Sequence, residues 1–151
     1  MYTTNEKNFA TLIHLSTLTQ YCIPFGNYIF PILIWSAKKD DSEFVDYNGK
    51  QVLNFQLSIL LYSLVLLAVC IPLTLYTILK DMPLDNFECD RHFIREHFLH
   101  GNMPVIALIG IIAGGLFIIL KFIEILIIIN AAVKAMNGER YRYPLSIPFF
   151  K

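Results

Sequence analysis

Charge is missing from most of this chain. Phe9–Ala37 and Val52–Leu79 contain no Asp, Glu, Lys or Arg, and a third stretch, Pro104–Val133, contains only Lys121 and Glu124. Net charge is missing too, because twelve Lys plus Arg offset twelve Asp plus Glu. That balance leaves no electrostatic argument for a nucleic-acid partner. Cysteine is scarce. Cys22 and Cys70 fall in apolar stretches, where reduced, packed thiols are expected, and Cys89 stands alone in a polar segment. Three cysteines so placed do not make a disulfide framework. Residues Met1 to Lys7 lack the basic start of a signal peptide, and no small-residue cleavage site follows the first apolar stretch. That stretch therefore reads as a retained anchor. No phosphate-binding glycine loop and no nucleophile–base constellation is visible, so the sequence gives no basis for an enzyme and calls for no cofactor.

What is present is apolar length. A helix crosses the hydrocarbon of a bilayer with about 20 apolar residues, and a soluble domain of 151 residues could not hide three such blocks. The expected fold is an all-α integral membrane protein forming a single membrane domain over residues 1–151. It has three long transmembrane helical elements, at about 9–37, 52–79 and 104–133. A cytoplasmic loop, 38–51, joins the first two, an outer loop, 80–103, joins the second and third, and a tail, 134–151, ends the chain.

Orientation follows from Lys and Arg, which gather in short cytoplasmic loops while acids count for little. Lys38, Lys39 and Lys50 precede the second block, and Lys134, Arg140, Arg142 and Lys151 follow the third. Against these seven, the outer loop carries Lys80, Arg91 and Arg95. The expected location is a bacterial inner membrane, multi-pass, with a cytoplasmic C-terminus and residues 80–103 outside. The first block is interrupted by Pro24-Phe25-Gly26-Asn27 and again by Pro31, residues that break helices or favour turns. Its pieces are each too short to span. They form either one broken span with the N-terminus outside, the working expectation, or a re-entrant hairpin with the N-terminus inside. Breaks at membrane depth survive only where protein or a wet cavity satisfies the backbone. The break therefore points to a buried polar centre.

Polar residues inside the blocks supply the candidate sites. Gln51, Asn54, Ser58 and Tyr62 recur at spacings of three, four and four, which places them on one helix face, with Gln56 close by. Such a stripe is expected to face other helices. It would act as hydrogen-bonding glue worth about 0.6 to 2 kcal/mol per bond or as the wall of a polar pathway. In the third block, Ala107, Gly110 and Gly114 form a small-residue face suited to close helix contact, within the chain or between copies. If that block is centred in the bilayer, Lys121 lies within about 5 Å of the midplane. Lys121 and Glu124 then either neutralise each other at i, i+3 or mark a functional centre. His14 is a third ionisable group at membrane depth, read as a hydrogen-bonded structural histidine or a proton carrier. In the outer loop, Cys89, His92, Glu96 and His100 repeat the three, four, four spacing with chemistry suited to a divalent metal. A single helix presents ligands along a line, so an interfacial helix is the competing reading.

Several local runs act together as a signature. They are Leu12-Ile13-His14-Leu15-Ser16, Ile23-Pro24-Phe25-Gly26-Asn27, Trp35-Ser36-Ala37-Lys38-Lys39-Asp40, Phe44-Val45-Asp46-Tyr47-Asn48-Gly49-Lys50, Leu53-Asn54-Phe55-Gln56 and Asn137-Gly138-Glu139-Arg140-Tyr141-Arg142-Tyr143-Pro144-Leu145. In these the chain resembles a family of small bacterial membrane proteins distantly related to the twenty-kilodalton Tic component of chloroplast protein import. The resemblance covers nearly everything except residues 80–103. It implies four spanning segments, which favours the hairpin reading of the first block, and a setting in a protein-translocation-related complex. It implies no enzymatic activity. The functional expectation is a non-enzymatic integral membrane subunit in contact with the lipid bilayer, assembling with other membrane proteins or copies of itself. The alternatives are a small channel or carrier for protons, ions or small solutes along Lys121, Glu124, His14 and Asn54, and an envelope sensor using the outer loop.

Overall fold

A computed structural model describes residues 2–79 and 103–150. Among these residues all regular structure is helical. Helix α1 is Thr4–Ser16, a 3-10 turn follows at Thr17–Tyr21, and α2 is Gly26–Lys38. Helix α3 is Glu43–Leu79 and α4 is Met103–Met136. The chain divides into two compact units, Met1–Leu61 with Lys121–Lys151, and Tyr62–Leu120.

The first apolar block does not form one helix, and its own sequence shows why. Thr3 caps α1: its hydroxyl accepts from the Glu6 N–H at 3.3 Å, while the Glu6 carboxylate accepts from the Thr3 N–H at 2.6 Å. This reciprocal pair satisfies donors that a helix start leaves open. At the other end three hydroxyls bond back to carbonyls three residues earlier: Ser16 to Ile13, Thr17 to His14 and Thr19 to Ser16. Such back-bonding competes with the helical ladder and tightens it to 3-10 geometry. Phe25 then turns the chain at φ 61°. Gly26 opens α2 where a Cβ would lie 2.6 Å from the Thr19 hydroxyl oxygen. The interruption thus runs from Thr17 to Phe25, earlier than the expected Pro24–Asn27, and Asn27 is already helical.

The two legs return to the same end. Ser42 donates to the Glu6 carboxylate at 2.6 Å, and the Lys38 ammonium stands 5.5 Å from the centre of the Phe9 ring. A broken span would put the N-terminus and residues 38–42 at opposite ends of the element, so the hairpin replaces it. The expected three long elements become two. By length and composition α3 over Glu43–Thr77 and α4 over Val105–Met136 can each cross a membrane. Each leg of the hairpin has 13 residues, about 20 Å of helix, against about 30 Å of hydrocarbon.

The first unit carries the buried core. Its buried apolar residues include Ala10 and Ile13 of α1, Phe44, Val45, Val52, Leu53, Phe55 and Ile59 of α3, and Ile128, Ala131, Ala132 and Ala135 of α4. Ala10, Phe44 and Ala135 pack together, with Tyr2 against them. Ile128, Ala131, Ala132 and Ala135 sit on one helical face, and Glu124 lies one turn earlier on it. Helix α4 ends at Gly138, whose φ of 81° is open to glycine. There the Glu139 N–H reaches the Lys134 carbonyl and the Gly138 N–H reaches the Ala135 carbonyl, both at 2.9 Å, the Schellman closure of a helix. The second unit, by itself, turns large apolar side chains outward, among them Leu64, Leu67, Ile71, Leu108, Ile111 and Ile118. A surface of this kind on a spanning-length helix is solvated by lipid. Cys22, expected to be packed, is exposed at the end of the hairpin, and Cys70 is half-buried.

One close approach makes a test. An added Cβ at Gly49 would collide with the ring of Trp35, whose Nε1 donates to Asp46 at 2.9 Å. Gly49→Ala should therefore lower stability by about 1 to 3 kcal/mol through overpacking. The measurement is thermal unfolding in detergent followed by the fluorescence of Trp35, the one tryptophan of the chain.

Candidate functional site

The most costly group to bury is the Glu124 carboxylate, and the fold encloses it completely. Its side chain has 0% exposure, while that of Lys121 keeps 26%. Oxygen Oε2 accepts from the Lys121 ammonium at 2.8 Å, and Oε1 accepts from the side-chain amides of Gln20 at 3.0 Å and Gln56 at 3.2 Å. The two amides are oriented from behind. Gln20 Oε1 accepts from Lys121 at 3.2 Å, and Gln56 Oε1 accepts from the Asn27 amide at 2.8 Å. The Tyr28 hydroxyl adds a bond to the Gln56 backbone carbonyl at 3.1 Å. Each of these polar atoms directed at the carboxylate is a donor, the arrangement an ionised acceptor requires.

This network explains the interruption of the first block. Gln20 comes from the 3-10 turn and Asn27 from the first turn of α2, so the break brings one amide onto the carboxylate and a second onto Gln56 behind it. Pro31 is buried inside α2 and has no N–H. It therefore leaves the Asn27 carbonyl without its usual helical donor.

A second polar group sits on the histidine. His14 is fully buried, with Nδ1 2.7 Å from the Tyr143 hydroxyl and Nε2 2.9 Å from Asn48 Oδ1. The Asn48 amide is fixed by its own donation to the Phe44 carbonyl at 2.8 Å. Its oxygen must then face the ring, so Nε2 carries the proton of the neutral imidazole and Nδ1 accepts from Tyr143. Burial pushes the Tyr143 phenol well above its usual range, which keeps it a donor. Its ring stacks on Phe55 with centroids 4.4 Å apart.

A third group fastens the tail. Asn54 Oδ1 accepts from the Phe149 and Phe150 N–H groups at 3.0 and 2.7 Å, and its amide donates to the Phe150 carbonyl at 3.0 Å. Ser58 donates to the Asn54 carbonyl at 2.7 Å and accepts from the Ile147 N–H at 2.8 Å.

The charged ends of the first unit are paired at its surface. Arg140 bonds Glu43 at 2.7 Å and Tyr2 at 3.2 Å, with Glu43 the main cause of its raised pKa. The Ser42 hydroxyl, with help from Thr3, holds the Glu6 carboxyl below its usual range. Among the described residues every buried side-chain nitrogen and oxygen has a hydrogen-bond partner. A closed set of this kind holds elements together.

Residues 5–150 match the MamF/MmsF family, described as the magnetosome magnetite crystal formation protein family. The chain belongs to this family. The matched span holds every residue of the three polar groups. Comparison with curated proteins and with solved structures finds no match. Membership supports the reading as a small membrane protein, here a magnetosome one, and does not extend to the relationship with the plastid import component.

The residues expected from sequence take the following places. Asn54 and Ser58 do not bridge to other helices, because the tail folds back along α3 and offers its backbone first. Tyr62, on the same stripe, is half-buried. Gln56, off the stripe, reaches two other helices, through Asn27 of α2 and Glu124 of α4. Ala107, Gly110 and Gly114 are exposed, and a Cβ on either glycine would meet nothing within 4 Å. Among the described residues, α4 buries a different set of small residues, Ala131, Ala132 and Ala135. Cys89, His92, Glu96 and His100 lie outside the described residues, and among the described residues His, Cys, Asp and Glu form no metal-sized group. Gln20, Asn27, Tyr28, Asn48 and Tyr143 were not named as site residues from sequence, although Asn27 marked the break and Asn48 and Tyr143 fell in the signature runs. For Gln20, Asn27 and Tyr28 the signal was that polar side chains interrupt an apolar run.

Two variants test how the network holds. Removing one partner of a buried charge pair typically costs about 3 to 5 kcal/mol, so Glu124→Ala should be strongly destabilised. An isolated pair would be rescued by replacing both members with Leu. Here Lys121→Leu with Glu124→Leu should stay destabilised, because Gln20 and Gln56 lose their acceptor. Thermal unfolding in detergent of the single and double variants decides between the two. Asn54→Leu should release the tail, read as faster tryptic cleavage after Arg140 and Arg142 with little change in helix content.

Proposed function

We propose that this chain is a non-enzymatic integral membrane subunit of the magnetosome membrane. It serves magnetite crystal formation by assembling with other membrane proteins or with copies of itself. The family match carries this reading. The site supports it from the other direction, since among the described residues every buried side-chain nitrogen and oxygen has a hydrogen-bond partner within the chain. Helices α3 and α4 are the spans. The N-terminus, residues 38–50 and the C-terminal tail lie on the cytoplasmic side, where Lys7, Lys38, Lys39, Lys50, Lys134, Arg140 and Arg142 collect. Residues 1–151 act as one membrane domain. Protein translocation finds no support in the family description.

The channel or carrier reading is weaker. It needs Lys121, Glu124, His14 and Asn54 on one wet path, whereas His14 is engaged by Asn48 and Tyr143, and Asn54 by the tail. Assembly uses the open face of α4 at Ala107, Gly110 and Gly114. Backbones that meet in lipid approach closely over small residues. Gly110→Leu with Gly114→Leu fills space that is empty in the chain itself. The expected result is an unchanged unfolding temperature together with loss of crosslinked partners on co-purification from native membranes. A partner set unaffected by the double change would exclude this face, and a chain recovered from native membranes only as a monomer would overturn the assembly reading.

A further inference from the structure

The hairpin formed by α1, the 3-10 turn and α2 is matched to half a bilayer. Its apolar parts are Phe9–Ser16 and Tyr28–Ala37, about 12 and 15 Å of helix, against about 15 Å for one leaflet of the hydrocarbon. Polar residues Thr3 to Asn8 precede the first leg, and Lys38 to Ser42 follow the second. The Glu6–Ser42 bond holds those two ends together. Between them the hairpin turns apolar side chains outward: Leu12 and Leu15 on α1, Ile29, Ile32 and Leu33 on α2, and Tyr21, Ile23 and Phe25 at the tip, where Phe25 is 71% exposed. A tip of this composition is unfavourable in water and favourable among acyl chains. The exposed apolar faces of α3 and α4, already read as lipid-facing, make the same partner the consistent one.

We infer that the hairpin inserts into the leaflet on the side of the termini and stops there, so that the chain prefers membrane whose convex face is on that side. This rests on the membrane-spanning reading above. Each helix is about 10 Å across, so two legs add roughly 160 Å² of cross-section to the leaflet they enter. They are too short to add any to the other leaflet. An excess of area in one leaflet is relieved when that leaflet is the outer surface of a curve, which is the physical basis of curvature-dependent binding by shallow helices. The Glu124 network keeps the insertion fixed in depth. Gln20 at the tip and Asn27 at the start of α2 are tied to the carboxylate of α4 directly or through Gln56. The hairpin is therefore a permanent part of the fold and not a reversible anchor.

The test uses the purified full chain in vesicles of phosphatidylcholine and phosphatidylglycerol, with Cys70→Ser and Cys89→Ser leaving Cys22 as the single thiol. Three readings separate the claims. Extraction of the chain by alkaline carbonate would overturn the membrane-spanning reading and the inference with it. In a retained chain, a fluorophore on Cys22 should be quenched by nitroxides placed within the acyl chains and not by aqueous iodide. Iodide quenching would show the tip outside the hydrocarbon and overturn insertion alone. Membrane tubes drawn from giant vesicles then report curvature. The density ratio of tube to flat membrane should exceed one when the termini face outward and fall below one when they face the lumen. A ratio of one, or the same sign in both orientations, would overturn the inference while leaving the spanning reading intact. Ile23→Asp with Phe25→Asp alters two exposed tip residues, and Asp tolerates the left-handed backbone at position 25. If this variant stays folded, its ratio should move toward one, and an unchanged ratio would exclude the hairpin as the cause. If it does not fold, the reversal of sign with orientation in the unmodified tip remains the deciding measurement.

Discussion

A carboxylate removed from both water and lipid headgroups must find its donors within the protein, and Glu124 imposes that condition on the chain around it. The cost of burying an unpaired ion is several kcal/mol even after relaxation. One lysine three residues earlier on the same helix meets part of the demand. The rest comes from the amides of Gln20 and Gln56, carried by the 3-10 turn and by α3, and the Gln20 amide is presented by the interruption of the first block. The interruption of that block and the burial of Glu124 are thus one arrangement seen from two sides. The break supplies donors, and the carboxylate gives a broken backbone at membrane depth something to hold.

The same economy governs the other two polar groups. His14 is fixed by an asparagine from α3 and a tyrosine from the tail. Asn54 and Ser58 accept backbone N–H groups from the tail's last residues. The tail has no helix or strand of its own, so its backbone donors need side-chain acceptors, and one asparagine can satisfy two donors and one acceptor at once. In each case a polar side chain on a helix takes the place of water as the hydrogen-bond partner.

What this arrangement provides for a magnetosome-family membrane protein is a first unit of defined geometry, in a chain with two helices long and apolar enough to span a membrane. The hairpin cannot tilt or withdraw without breaking bonds to Glu124 and Gln56. The outward side chains of the hairpin and of both long helices are apolar, which is consistent with contact with lipid.

The sequence by itself determined that the protein lives in a membrane, because uncharged runs such as Val52–Leu79 have no other stable solvent. It also marked the break in the first block, since Pro24, Gly26 and Asn27 are local chemistry, and the pairing of Lys121 with Glu124, since i, i+3 on one helix is fixed by helical geometry alone. The beginning of the break was missed. It depends on hydroxyls bonding back to carbonyls, which Ser and Thr do only when the surrounding packing favours it. Only the tertiary structure decided that the first block returns on itself, that Asn54 and Ser58 serve the tail and not a helix, and that Gln20, Asn27, Asn48 and Tyr143 belong to the buried centre. Those residues are brought together from positions up to 129 apart in the chain, and no local pattern carries information over such a distance. A polar residue in an apolar run announces that it needs a partner, but the identity of the partner is settled by which other unsatisfied groups the fold places within hydrogen-bonding reach.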